Sequence, residues 1–248
     1  MSVVLVTGAT GAIGSEIAAQ AAAAGAAVCV HGSRPGTVAA AIDRLHARAP
    51  GSTLFALPGD FRETDGVQAV VDGAVRAAGK LDAVIHCAVT GAPNTTGMFS
   101  NTEPANYGLL LERMLGTFQQ LCFSAIPHLR RTGGAIVAIA TDSGRFAAPR
   151  QAMLGAVHGG IMSFVRNLSV EIARDGVRIN CISLSFVTGT PIFEAFAAQG
   201  SRAEAASARA GLGLPSAADI APMALFLCGP HAAKITGQVV SINGGLNA

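Results

Sequence analysis

Residues 7–14 read T-G-A-T-G-A-I-G, and this stretch decides the fold. The apolar run 2–6 precedes it, and an Ala-rich run at 15–25 follows it. A strand, a Gly-rich turn and a helix in this order predict the start of a dinucleotide-binding βαβ unit. Glycine at positions 8, 11 and 14 lets a phosphate approach backbone N–H groups at the helix N-terminus. An ordinary tight strand-to-helix turn is the alternative interpretation.

Composition excludes several classes of protein. The chain has 248 residues, half of them hydrophobic, and a net charge of +2 with no clustered Lys/Arg stripe, so we expect no nucleic-acid partner. No apolar run reaches the roughly 18 residues of a membrane span, and no Lys or Arg precedes the N-terminal apolar run, so we expect neither a membrane partner nor a secretory signal. Five cysteines without a C-x-x-C motif predict buried free thiols in a reducing, cytoplasmic compartment.

Strand and helix patterns alternate to the C-terminus. Further strands are predicted at 27–31, 53–57, 81–87, 135–140, 177–184 and 238–242, and helices at 37–49, 64–78, 104–129, 150–174 and 216–227. The alternation predicts a single doubly wound Rossmann-type α/β domain over 1–248, with a seven-stranded parallel sheet and helices on both faces.

Two later stretches carry more specific expectations. Residues 186–214 are polar and Ala-rich, and we predict that they form a mobile substrate lid. Ser216 and Asp219 resemble a capping box, and Pro222 is expected to kink the helix that follows or to shift its start.

The residues after the second predicted strand bear on the choice of cofactor. They read His31-Gly-Ser33-Arg34, without the carboxylate that binds the ribose 2′-OH in NAD sites. Arg34 and the Ser33 hydroxyl would instead bind a 2′-phosphate, so the sequence favours NADP(H) over NAD(H). The alternative is that Arg34 is a solvated residue before Pro35.

Together these motifs resemble the short-chain dehydrogenase/reductase family. The resemblance runs from T-G-A-T-G-A-I-G at 7 to I-T-G-Q-V-V-S-I-N-G-G at 235, and includes G-D-F at 59, G-A-I-V at 134 and D-G-V-R-I-N at 175. It implies that the position of Asp60 contacts adenine, with the backbone of Phe61 beside it. Ala12 departs from the family's shorter members, which carry glycine there. The resulting nucleotide-site candidates are Gly8, Thr10, Gly11, Ile13, Gly14, Ser33, Arg34, Asp60, Phe61, Ala88 and Val187.

The resemblance fails at the catalytic positions. The family uses a Ser, a Tyr, a Lys four residues after the Tyr, and an Asn on the preceding helix. The matching positions here are Thr141, Leu154, His158 and Arg113, so three of the four groups have changed their chemistry. Thr141, His158 and Arg113 are the catalytic candidates. His158 could act as an acid near neutral pH.

Neighbouring residues extend this candidate set. His86 and Asp142 would join it in the crevice, because each follows or ends a predicted strand. Tyr107, the only tyrosine, lies six residues before Arg113 and off its helix face. Each candidate also has a purely structural interpretation. His158 would fill the space of the family's Lys, Arg113 would pair with Asp142 or another carboxylate, and His86 would form a hydrogen bond to a neighbouring strand. Thr141 would only end its strand, and Cys87 would be a buried thiol.

Three functions are compatible with these residues. The first is a divergent NADP(H)-dependent oxidoreductase acting on a small carbonyl or alcohol substrate, and the second is an inactive cofactor-binding partner subunit. The third is a non-redox lyase, isomerase or cyclase that uses His86, Asp142, His158 and Arg113. The family's two long helices usually form its subunit contact, so a homodimer or homotetramer is expected. No metal site is expected.

Overall fold

The computed structural model of the protein describes residues 1–198 and 202–247. The strands that it describes are β1 Val3–Thr7, β2 Ala27–Gly32, β3 Leu54–Pro58, β4 Ala83–His86, β5 Ala135–Thr141, β6 Arg178–Leu184 and β7 Val239–Ile242. They form one parallel sheet in the order β3-β2-β1-β4-β5-β6-β7. The predicted seven-stranded parallel sheet is confirmed.

Helices cover both faces of the sheet. Their bounds are α1 Ala12–Ala23, α2 Pro35–Arg48, α3 Gly66–Ala78, α4 Tyr107–Leu111, α5 Thr117–Leu129, α6 Ala152–Ile172, α7 Pro191–Ala197, α8 Arg202–Arg209 and α9 Ala217–Cys228. One apolar cluster packs α3, α4, α5 and α6 on one face, and a second packs α1, α2 and α9 on the other. The central strand β1 is buried and apolar from Val3 to Val6, as burial on both faces requires.

The predicted helix 104–129 is helical throughout, but it begins with a 3-10 turn and contains a π turn. A 3-10 turn at Pro104–Asn106 leads into α4, a wider π turn follows at Glu112–Gly116, and α5 begins only then. The Thr117 hydroxyl donates to the Glu112 carbonyl, five residues earlier, at 3.5 Å. The π turn holds one more residue than an α-helical turn, and such turns occur often at functional sites. Arg113 lies within it.

The lid region contains more regular structure than its sequence suggests, because α7 and α8 form within it. Residues 199–201 of the region lie outside the described residues. The capping box is confirmed: the backbone N–H of Ser216 and its hydroxyl donate to Asp219 Oδ2 at 2.8 and 2.7 Å. α9 therefore starts where it was predicted, and Pro222 lies inside it rather than shifting its start.

The carboxyl ends of the parallel strands lie along one edge of the sheet. In register, Thr7 pairs with His86 and His86 with Ala138, while Thr141 pairs with Leu184. The candidate residues that follow β1, β2, β4 and β5 are thereby brought to one crevice. Elsewhere in the fold, none of the helices described has the length and apolar character needed to cross a bilayer.

Candidate functional site

The Gly-rich turn fits closely between β4 and α1. Gly8 has a φ of +68°, and a Cβ there would lie 2.7 Å from the Ala88 nitrogen. A Cβ at Gly14 would lie 2.3 Å from the Gly8 carbonyl oxygen. Larger residues at either position would force the turn away from β4 or the helix away from the turn.

The N-terminus of α1 has the features that a pyrophosphate site needs. Gly11 is its N-cap residue, no side chain caps the first turn, and the turn contains no acidic residue. The first N–H groups of a helix have no partner within the helix, and its dipole attracts anions to them. Thr10 packs beside Gly32, and Ile13 is half-buried on the α1 side of the core. The residues present therefore fit the diphosphate of a nicotinamide dinucleotide.

His31 connects this turn to the end of β3. Its Nδ1 accepts from the Gly8 N–H at 3.2 Å, and its Nε2 donates to the Gly59 carbonyl at 2.9 Å. The ring stacks on Phe61 at 4.2 Å between centroids. Burial lowers the pKa of His31 to about 4, so the imidazole is neutral at pH 7 with its proton on Nε2. His31 thus holds the phosphate turn and the predicted adenine region in one arrangement.

The two candidates for 2′-phosphate binding lie beside His31. Ser33 and Arg34 are exposed, and Arg34 is the N-cap residue of α2, whose first turn has no acidic residue. The Arg34 guanidinium forms no ion pair with any described residue. A free cation and a second helix N-terminus are therefore placed next to the phosphate turn.

The adenine candidates are half-buried at the end of β3. The Asp60 carboxylate accepts from the backbone and the guanidinium of Arg62, and these bonds lower its pKa to about 2. Phe61 presents its ring to His31. On the other side of the crevice, the Ala88 N–H donates to Thr7 Oγ1 at 3.4 Å, while Val187 is buried against the α1–α9 face of the core.

Thr141 ends β5 with its hydroxyl bonded to that of Ser143. Either hydroxyl can donate in this pair, so one proton remains free to bind a further acceptor. Leu154 is half-buried on α6 and packs against the α3–α5–α6 side of the core. The crevice therefore offers a hydroxyl pair, while the residue at the family's Tyr position packs against the core.

His158 and His86 are both buried and neutral. Burial lowers the pKa of His158 to about 4 and that of His86 to about 3, with smaller effects on His86 from the facing His31 and His158. His86 Nδ1 bonds to the Thr7 hydroxyl at 2.9 Å, whereas His158 Nδ1 has no partner among the described residues. At pH 7 His158 can accept a proton, but only a small fraction of it is charged and able to donate one.

The remaining members of the expected set are separated. Arg113 donates to the Gly91 carbonyl at 3.0 Å and does not pair with Asp142. The Asp142 carboxylate instead bonds to side chains of β6, β7 and the C-terminal residues, so it is not free as an acid or base. Burial raises the pKa of Cys87 to about 12, which leaves a protonated thiol rather than a nucleophile.

Comparison with known proteins agrees with this geometry. A family model described as enoyl-(acyl carrier protein) reductase matches residues 8–247. The chain belongs to the short-chain dehydrogenase/reductase family. A 3-oxoacyl-[acyl-carrier-protein] reductase FabG of Chlamydia muridarum (strain MoPn / Nigg) is 29% identical, over 98% of this chain and 96% of the relative.

Two solved structures show the same fold. A short-chain type dehydrogenase/reductase from Mycobacterium ulcerans superposes with a TM-score of 0.90 at 24% identity, over 99% of this chain and 89% of that one. A 7α-hydroxysteroid dehydrogenase complexed with NADH and 7-oxo glycochenodeoxycholic acid has a TM-score of 0.86 at 23% identity, over 98% and 93% of the two chains. The short-chain dehydrogenase/reductase family comprises oxidoreductases that bind a nicotinamide cofactor.

Two features of this family member were not anticipated from the sequence. The Ser143 hydroxyl forms a hydrogen bond with the Thr141 hydroxyl. The only sequence signal for this bond is that Ser143 lies two residues after Thr141. The sequence pattern places His31 at the end of the second predicted strand, without a role of its own. Its two partners lie 23 and 28 residues away, which a local motif does not reveal.

Proposed function

We propose that this protein is an NADP(H)-dependent oxidoreductase that acts on a small carbonyl or alcohol substrate through a non-standard active site. The observation that supports NADP(H) most directly is the exposed Arg34, unpaired among the described residues, at the N-terminus of α2 beside the Gly8–Gly14 turn. A 2′-phosphate there would bind the guanidinium, the Ser33 hydroxyl and the helix dipole together.

The other roles in the reaction belong to side chains of this protein. When bound, the nicotinamide supplies or accepts the hydride. The Thr141–Ser143 pair donates a hydrogen bond to the substrate oxygen, and Leu154, at the family's Tyr position, has no proton to donate. The proton comes from water or from His158, and the pKa of His158 near 4 favours water for a reduction at pH 7.

The second candidate is a cofactor-binding pseudoenzyme. Leu154 at the family's Tyr position favours it, because that side chain can donate no proton. The third candidate, a non-redox enzyme, is less favoured, since Asp142 bonds to β6, β7 and the C-terminal residues rather than to His86, His158 or Arg113.

Calorimetric titration with NADPH and NADH tests the cofactor. We expect NADPH to bind more tightly, and Arg34→Ala to weaken NADPH binding about tenfold while changing NADH little, as for one lost charge-assisted contact of about 1.4 kcal/mol. Arg44→Ala, an exposed change on the same helix, is the matched control. Equal affinities would contradict the preference, and binding of neither would contradict the nucleotide site.

Turnover separates the two candidate functions. NADPH oxidation is followed with a panel of small aldehydes and ketones for the native protein, Thr141→Ser and Thr141→Ala. The oxidoreductase requires turnover that Ser retains and Ala loses, since only the hydroxyl binds the substrate oxygen. Tight NADPH binding without turnover of any panel member would favour the pseudoenzyme.

A further inference from the structure

Asp142 lies next to Thr141 but has a different set of partners. It is only 3% exposed, and its carboxylate accepts four side-chain hydrogen bonds. Ser183 and Ser241 donate to Oδ1 at 2.6 and 3.2 Å, and Asn243 and Asn247 donate to Oδ2 at 2.6 and 3.3 Å. A buried carboxylate is tolerated only when its oxygens are bonded in this way. One oxygen thus holds the sheet and the other holds the C-terminal segment.

That segment, residues 243–247, is called the strap here. It is bonded internally: Asn243 Nδ2 also donates to the Asn247 carbonyl at 2.8 Å, and the Gly245 N–H donates to Asn243 Oδ1 at 3.0 Å. The Leu246 N–H donates to the Asn243 carbonyl at 3.1 Å. These bonds make the strap a compact turn whose two asparagines face Asp142.

The other side of the strap contacts the lid. Leu246 is buried with Ala206 and Ala210 of the α8 region, and Phe186 and Leu214 pack against this cluster. Phe186 in turn makes edge-to-face contacts with Phe193 and Phe196 of α7. The strap therefore contacts α8 directly through one apolar cluster, and Phe186 connects this cluster to α7.

Backbone contacts fix the strap at the same place. Gly244 has a φ of +64°, and a Cβ on it would lie 1.7 Å from the Gly213 carbonyl oxygen. The Leu212 N–H donates to the Gly244 carbonyl at 3.0 Å. The turn after α8 and the strap thus fit together with no space for an added methyl group.

We propose that Asp142 is a positioning residue that fixes α8, and through Phe186 α7, relative to the sheet by holding the strap. The chain of contacts runs from Asp142 to Asn243 and Asn247, then through Leu246 to α8 and α7. Thr141, the residue directly before Asp142, binds the substrate oxygen in the proposed function. Any effect of Asp142 on catalysis therefore rests on that proposed function. The contact chain itself is testable without any substrate.

The test compares amide hydrogen exchange of α8 with that of α9 in the unliganded full chain. Asp142→Ala removes the acceptor for the strap, and Leu246→Ala removes the apolar contact at its other end. Each is expected to speed exchange in α8 about tenfold or more while leaving α9 and NADPH affinity near native, because local opening can occur without global unfolding. The double variant is expected to exchange no faster than either single one, since both break the same link.

Conservative variants separate positioning from simple loss of core stability. In Asp142→Asn the amide oxygen can still accept from the strap while its NH2 donates to the serine hydroxyls, so near-native α8 exchange is expected. Ser183→Ala removes only a sheet-side donor and is expected to leave α8 unchanged.

Three outcomes would overturn the proposal. They are unchanged α8 exchange in Asp142→Ala or Leu246→Ala, additive effects in the double variant, and faster exchange throughout the protein. If Asp142→Ala does not fold, Asn247→Ala, which removes one strap donor to Asp142, replaces it in the same comparison. A protein without turnover would contradict the proposed function but leave this test intact.

Discussion

At the scale of single residues, His31 offers a direct test of how the nucleotide site is held. His31→Phe keeps a ring to stack on Phe61 but leaves the Gly8 N–H and the Gly59 carbonyl without their partners. An unsatisfied buried polar group costs about 1–3 kcal/mol. We expect NADPH affinity to fall about tenfold or more and the free energy of unfolding to fall by about 2 kcal/mol. Calorimetry and urea unfolding measure the two effects.

His46→Phe is the matched control, because His46 is exposed on α2 and remote from the turn. It is expected to leave both quantities near native. Native NADPH affinity in His31→Phe would mean that Gly8 keeps its position without the imidazole, and that stacking on Phe61 alone suffices.

Residue-level prediction from the sequence succeeded where a motif is local. The spacing of Gly8 and Gly14 predicts that α1 packs tightly against the turn, and the close contacts at both positions confirm this packing. The partners of Asp142 were not predicted, because they lie 41 to 105 residues away and on strands whose order the sequence does not give. A carboxylate that follows a strand can face the crevice or the neighbouring strands, and only the fold decides between these.

At the scale of elements, the start of α9 shows what a local signal can specify. Asp219 Oδ2 accepts from the backbone N–H and the hydroxyl of Ser216, which closes the capping box. Ser216→Ala is expected to lower the free energy of unfolding by about 1 kcal/mol, the usual cost of a lost N-cap. Urea unfolding measures this.

Ser163→Ala is the control for that change, since Ser163 is exposed in the middle of α6, where alanine is the better helix former. Ser216→Ala combined with Asp219→Ala should cost less than the sum of the two, because each removes the same pair. Additive losses would contradict the reciprocal cap.

Elements without a local signal were predicted less well. The π turn at Glu112–Gly116 was not predicted within the helix, since an extra residue in a turn depends on packing rather than on propensity. The helices α7 and α8 form in a stretch of weak periodicity, where the contacts of Phe186 and Leu246 supply the apolar face. Tertiary packing decided both elements.

At the scale of the whole molecule, buried imidazoles make stability depend on pH. The pKa values of His31 and His158 are lowered to about 4 and that of His86 to about 3, from an ordinary value of 6.5. As pH falls below 6.5 the unfolded chain takes up protons that the folded chain does not. The free energy of unfolding is therefore highest, as far as these histidines are concerned, above pH 6.5. It falls between pH 6.5 and 4, by about 1.4 kcal/mol per pH unit for each histidine.

Urea unfolding at pH 7.5, 6 and 5, at one protein concentration, checks this dependence. His86→Asn should flatten the curve, whereas the exposed His46→Asn should not. A free energy of unfolding that stays constant from pH 7 to 5 would show that these imidazoles are accessible to protons in the folded protein.

Association is the remaining property of the whole molecule, and we propose that α5 and α6 form a contact between copies of the chain. Phe123 on α5 and Val170 on α6 are 82% and 76% exposed. Exposed apolar side chains of this size favour burial against a partner. Light scattering after gel filtration should give the mass of two or four chains. Phe123→Glu should shift that mass towards one chain, because a carboxylate would be buried without a counter-charge.

Leu212→Glu is the control, since Leu212 is 91% exposed but lies at the lid, away from α5 and α6. It should leave the mass unchanged. A native protein with the mass of one chain would contradict the contact. If Phe123→Glu stayed associated while Leu212→Glu separated, the contact would instead lie at the lid, and the strap beside Leu212 would then be part of an interface.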